Sequence, residues 1–141
     1  LPDYEAQWVD ARDMCPWIIT LAENDTPGVF NAAGPSSSVN RNALMWGLRA
    51  LTEKPVTFYW PEQRLLEELG ISMPMMNPDR VSTRFVNTAS MQAGLSYRSL
   101  ADTALDTLDW WQTLDVERTA NPRRWPDQKK VKEAIERLKK A

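Results

Sequence analysis

The residues best suited to chemistry start at Asp10, where Asp10, Arg12 and Asp13 set two carboxylates and a guanidinium within four positions. At the end of a strand, such a group faces the cleft where α/β sheets bind ligands, which makes Asp10 and Arg12 candidate substrate contacts. A helix N-cap with a local ion pair is the simpler account, since acidic side chains near a helix start favour its dipole. Arg84 and Arg98 each offer a bidentate fork to a phosphate or carboxylate, against the alternative of a surface ion pair. Asn31 lies at the end of an apolar run, just ahead of Gly34–Ser38. It either lines the substrate side or belongs to a strand-to-helix connector. Trp60, like Trp8, sits at or near a strand end and is a candidate pocket wall. Met75, within Met73-Pro74-Met75-Met76, reads either as part of a flexible lid over an apolar substrate or as a loosely packed apolar loop.

What the sequence lacks is equally informative. Its 141 residues contain no histidine and a single cysteine, Cys15. Ser-His-Asp and Cys-His catalysis, histidine metal sites and histidine pH sensing are therefore excluded, as are an intrachain disulfide and a multi-thiolate metal site. The glycines stand at 28, 34, 47, 70 and 94, with the closest pair six apart. Neither the dinucleotide fingerprint nor the P-loop can be written with that spacing. No run approaches the roughly 20 apolar residues of a membrane span, and the start lacks a secretion signal, so a cytoplasmic setting is expected. The first residue is Leu1, which suggests a chain processed, trimmed or cut from something longer.

These residues need elements to position them. Gln7-Trp8-Val9 reads as a short extended run. A helix follows, capped by Asp10 or Asp13, with Met14, Trp17, Ile18 and Leu21 on its apolar face and Pro16 in its first turn. Gly28–Ala32 is expected as a buried strand and Gly34–Ser38 as a loop. Asn40 is expected to cap a helix that turns Leu44, Leu48 and Leu51 inward. Val56–Trp60 is the clearest strand, rich in β-branched and aromatic residues. Glu62–Leu69 is a short helix ended by Gly70, and a second short helix starts at Asn87 or Thr88 and stops at Gly94. Ser99 caps a helix carrying Leu100, Ala104, Leu105, Leu108 and Trp111. Trp17, Trp46 and Trp111 fall at helical core positions.

Charge is uneven along the chain. Residues 123–140 carry a net +5 within a total of −2. Val131, Ala134, Ile135 and Leu138 keep an amphipathic period there, so a solvated helix accounts for the basic run better than nucleic-acid binding does. Alternating elements without a long apolar strand suggest an α/β lobe whose few strands finish a sheet begun elsewhere.

Three stretches carry a resemblance. Trp8-Val9-Asp10-Ala11-Arg12-Asp13-Met14 resembles the strand-to-helix segment Val-Asp-Val-Arg-Asp-Leu-Ala of extended short-chain dehydrogenases/reductases. Gly28-Val29-Phe30-Asn31-Ala32-Ala33-Gly34-Pro35 resembles the family's following Gly-Val-Phe-Asn-Ala-x-Gly-Pro strand and loop. Val86-Asn87-Thr88 through Ala93-Gly94-Leu95-Ser96-Tyr97-Arg98, then Leu100, Thr103, Asp106-Thr107 and Trp110, resembles its C-terminal block. Order and separation agree over roughly residues 6–115. Val86 stands where an Asp is common, which removes any ligand role for an acid there, and Ser99 stands where Pro is common.

The resemblance implies an α/β fold: the C-terminal, substrate-side lobe of an extended short-chain dehydrogenase/reductase, with few short strands and flanking helices and without the Rossmann glycine-loop half. Residues 1–122 would form the lobe and 123–141 a basic amphipathic C-terminal helix. The implied activity belongs to an NAD-dependent epimerase/dehydratase or reductase acting on a sugar nucleotide or small carbonyl or hydroxyl substrate. The family's Tyr-x-x-x-Lys pair is absent, since the tyrosines are followed four positions later by Trp8, Gln63 and Ala101. The chain alone is thus expected to hold no catalytic, cofactor or metal residues and to be inactive. NAD or NADP would bind a Rossmann portion preceding it or carried by a partner chain. The substrate contacts implied for this lobe are Asp10, Arg12, Asn31, Trp60, Met75, Arg84 and Arg98. The competing expectation is a stand-alone, non-catalytic interaction module derived from such an enzyme, its apolar surface covered by a homo-oligomer or a partner. Neither membrane nor nucleic acid is an expected partner.

Overall fold

A computed structural model describes residues 5–72, 84–120 and 125–140. Two strands, β1 (Glu5–Trp8) and β2 (Gly34–Asn40), alternate with α1 (Ala11–Glu23) and α2 (Arg41–Ala50). Helices α3 (Gln63–Glu68), α4 (Thr88–Gln92), α5 (Leu100–Gln112), α6 (Val116–Ala120) and α7 (Gln128–Lys140) follow. The described residues thus form a small α/β protein with seven helices and a two-stranded antiparallel sheet. None of these helices is long and apolar enough to cross a membrane.

The chain divides into two compact units, one of residues 1–53 and 82–110, the other of residues 54–81 and 111–141.

In the first unit, β1 and β2 pair through Glu5 with Asn40, Ala6 with Val39 and Trp8 with Gly34, the register slipping between Ala6 and Trp8. Helix α2 packs on both strands and buries Leu44. Its start is fixed by Asn40, whose side chain accepts from the Ala43 N–H at 2.7 Å. Trp17 of α1 is buried, meets Phe30 edge-on at 5.7 Å, and donates its indole N–H to Ala93 O at 2.9 Å.

In the second unit, Leu66 and Ile71 close on Ala134 of α7, with Leu65 and Leu69 packed around them. This is the apolar face expected of the C-terminal helix. Its outer face is tied by Arg137, which bonds Glu68 at 2.6 Å and Glu133 at 2.7 Å. Gly70 ends α3 in the left-handed conformation, φ 59°, where other residues are strained.

Several expectations are corrected. Gly28–Ala32 is not a strand, and Val29 is 96% exposed. Phe30 is drawn to Trp17 instead, and Asn31 is bonded through its side chain to Val86 O at 3.0 Å. Gly34–Ser38, expected as a loop, belongs to β2. Val56–Trp60 has the strongest strand propensity in the chain yet belongs to no strand among the described residues, because a strand exists only where a ladder partner does. Pro16 lies inside α1 rather than in its first turn. Ile18 and Trp46, expected in the core, are exposed, and no residue of α5 is buried.

Gly34 marks the tightest approach in the first unit. A Cβ there would stand 2.4 Å from Tyr97 Cδ1 and 2.7 Å from Trp8 O. Tyr97 is held in turn by its hydroxyl donating to Ala33 O at 2.9 Å. Gly34→Ala should therefore cost about 2 kcal/mol, typical of overpacking, read as a lower urea midpoint with an unchanged slope. A midpoint equal to that of the parent chain would show that the ring yields freely.

Candidate functional site

The polar centre of the first unit is built on the step from β1 into α1. Asp10 leaves the strand with extended backbone and caps α1, its Oδ1 accepting from the Arg12 N–H at 2.9 Å. The same carboxylate accepts from Arg12 Nε at 2.9 Å and Nη2 at 2.7 Å, and from the Thr103 hydroxyl at 3.0 Å. Arg12 extends its remaining fork to Asp106 of α5. One turn along α1, Asp13 accepts from both the backbone N–H and Nε of Arg98, each at 2.9 Å. Arg98 Nε also lies 3.6 Å from Asp10, closing the cluster.

The electrostatics follow from these bonds. The Arg12 guanidinium holds the Asp10 carboxyl far below the usual carboxylate range, against the opposing effect of partial burial. Arg98 lowers Asp13 in the same way. Asp10 raises Arg12, and Asp13 raises Arg98. A carboxylate held this low is a poor general base and is not a general acid at neutral pH. The cluster fixes geometry: it ties the start of α1 to the entrance and outer face of α5.

Two clefts flank β1. One, of about 60 Å³, is polar and bounded by Glu5, Gln7, the serines of β2 and residues 84–88. The other, of about 390 Å³, is lined by Glu5, Gln7, Trp8, Val9, Ala32, Ala33 and Phe85. Gln7 stands between them and bonds Phe85 twice, its amide N–H donating to Phe85 O and its carbonyl accepting from Phe85 N–H, both at 2.8 Å. Behind it, the Asn87 amide donates to Ala33 O at 2.7 Å and Pro35 O at 3.1 Å. The fully buried Ser90 donates its hydroxyl to Asn31 O at 2.7 Å.

The expected substrate contacts are thus distributed as follows. Asp10, Arg12 and Arg98 come together in the ion cluster, satisfied by one another and by Asp13, Thr103 and Asp106. Asn31 is engaged with Val86 and Ser90. Arg84, 62% exposed, borders the smaller cleft and pairs with Glu5 at 3.3 Å. Trp60 belongs to the second unit, and Met75 lies outside the described residues. Trp8 does line the larger cleft. Gln7, Asn87 and Tyr97 were not among the expected contacts, because an amide or hydroxyl carries no spacing signal until its carbonyl partner is known.

No metal-holding group of three His, Cys, Asp or Glu residues occurs among the described residues. Among the described residues, the close surroundings of Gly28 and Gly34 are taken by aromatic rings. The space beside Gly34 is filled by Tyr97 and that beside Gly28 by Phe30, so neither opens a phosphate cradle. The α1 N-terminus is already capped by the Asp10 carboxylate. Comparison with protein-family models, curated proteins and solved structures finds no match to the chain.

The cluster contributes to the acid response of the first unit, as the Glu68–Arg137 pair, which lowers Glu68, does in the second. Asp10 and Asp13 ionise below their unfolded value of 3.8, so the unfolded chain binds more protons as pH falls through about 4. Their contribution is fully present above about pH 5 and is lost progressively as pH falls through the folded values. Urea midpoints should fall steeply from about pH 5 to about pH 3. Asp13→Ala should cost about 2 kcal/mol at pH 7, the scale of charged hydrogen bonds, and should flatten that slope. An unchanged slope in the variant would remove Asp13 from the acid response.

Proposed function

We propose that this chain is the substrate-binding part of an NAD(P)-dependent epimerase/dehydratase or reductase, not catalytic by itself. The observation that carries the reading is convergence. The three stretches that resemble extended short-chain dehydrogenases/reductases lie far apart in sequence, yet they bond one another within one unit. Asp10 and Asp13 of the first stretch meet Thr103 and Arg98 of the third. Asn31 and Ala33 of the second meet Ser90 and Asn87 of the third. Residues with independent surface roles have no reason to bond in this pattern.

On this reading the ion cluster holds α1 and α5 as a rigid wall, and the cleft beside Trp8, Val9 and Phe85 is the surface offered to a small substrate. A Rossmann portion, on the same polypeptide or a partner, supplies the cofactor and the tyrosine. A second reading, a non-catalytic interaction module, is favoured by the exposed Ile18, Ile19, Phe85 and Val86 of the same unit.

Calorimetric titration of NAD and NADP into the isolated chain should give no binding heat. Micromolar binding of either would overturn the division of labour. The coding frame ahead of Leu1 distinguishes the readings: a glycine-rich loop followed by Tyr-x-x-x-Lys supports the enzyme, and a start codon at that point supports the module.

A further inference from the structure

The segment from Lys54 to Glu62 reads Lys-Pro-Val-Thr-Phe-Tyr-Trp-Pro-Glu. Around Phe58 its chemistry is mirrored. Thr57 answers Tyr59, Val56 answers Trp60, Pro55 answers Pro61, and Lys54 answers Glu62. In a two-fold antiparallel pairing, each residue faces the one equally distant on the other side of the axis. We propose that Val56–Trp60 is a pairing strand through which two copies of this chain associate antiparallel about Phe58.

Four observations carry it. First, the run with the highest strand propensity in the chain joins no strand among the described residues, so its pairing capacity is not spent on β1 or β2. Second, its side chains already sort by strand face. The Phe58 and Trp60 rings lie 5.9 Å apart, as residues two apart on one face do. Tyr59, on the other face, lies against Lys139 of α7, with the ammonium 6.0 Å from the ring centre. Val56 and Trp60 are 37% and 39% exposed. Self-pairing would set Val56 against Trp60 twice and Phe58 against its twin, a continuous aromatic and β-branched row of the kind that stabilises cross-strand pairs.

Third, charge selects the register. Between Lys54 and Glu62 there is no charged residue. A two-fold pairing about Phe58 brings each Lys54 opposite a Glu62, and a parallel pairing would instead stack like charges. Glu62 is the N-cap of α3 but makes no side-chain capping bond, so its carboxylate is not committed to that helix. Fourth, Pro55 and Pro61 lack N–H groups and stop the ladder at both ends together, which fixes its length symmetrically about Phe58.

The proposal is independent of the enzymatic reading and stands or falls without it. The test is sedimentation equilibrium of the full 141-residue chain from about 1 to about 300 μM. A monomer–dimer equilibrium is expected. Lys54→Glu alone and Glu62→Lys alone each set like charges opposite one another twice, and each should raise the dimer Kd about ten-fold. The double variant Lys54→Glu/Glu62→Lys restores both pairs and should return Kd to within about two-fold of the parent. Circular dichroism should show each variant folded, since the altered side chains are not in the core. A monomer at the highest concentration overturns the proposal. So does a dimer indifferent to the single changes, or one that the charge exchange fails to restore.

Discussion

The carboxylate of Asp10 has to satisfy three groups from two helices at once. It accepts the Arg12 N–H at the start of α1, receives the Arg12 guanidinium, and takes the Thr103 hydroxyl from α5. Two of these demands come from the next turn of chain and one from 93 positions away, and one carboxylate answers all three. With Asp10 fixed, Arg12 is aimed at Asp106, Asp13 faces Arg98, and α5 follows α1. Apolar burial in this unit is thin, confined mainly to Trp17, Leu44 and Leu95. Charged hydrogen bonds therefore carry a share of its definition that larger cores leave to packing.

The same economy shapes the surface beside β1. A two-stranded sheet offers little by itself, and here polar side chains extend it. Gln7 holds Phe85, Asn87 holds Ala33 and Pro35, and Tyr97 covers Gly34. Each of these side chains bonds main-chain atoms, and Asn87 also donates to the Tyr97 hydroxyl at 3.3 Å, so the wall is specified largely by backbone shape. Phe85 and Val86 are held through their main-chain atoms, so their side chains are free to serve whatever the cleft receives.

What could be read from the sequence follows the range of the interaction. Caps at Asp10, Asn40 and Ser99, the glycine stops of α3 and α4, and the amphipathic face of α7 depend on neighbours within a few residues, and all of these are found. The extended run expected at Gln7–Val9 overlaps β1, but the strands beyond it differ from expectation because pairing is decided at a distance. The Gly-Pro-Ser-Ser-Ser-Val-Asn of β2 has little strand propensity but has β1 beside it. Val56–Trp60 has the propensity and no ladder among the described residues. At the candidate site, the spacing of Asp10, Arg12 and Asp13 was visible and their partners were not. Arg98 lies 85 positions from Asp13 and Asp106 lies 94 from Arg12. Asn87 and Tyr97 fell inside a recognisable block without any sign of which carbonyls they would hold.

The doubled bond between Gln7 and Phe85 sets how that stretch breathes. In a ladder, an amide becomes accessible to solvent only when several neighbouring bonds open together. Here the Phe85 N–H is shielded by a single side chain, and one rotation about the Gln7 χ angles frees it while β1 stays paired with β2. Its deuterium uptake is therefore a private clock for the rim of the cleft, running ahead of the sheet and unaffected by events that loosen α1.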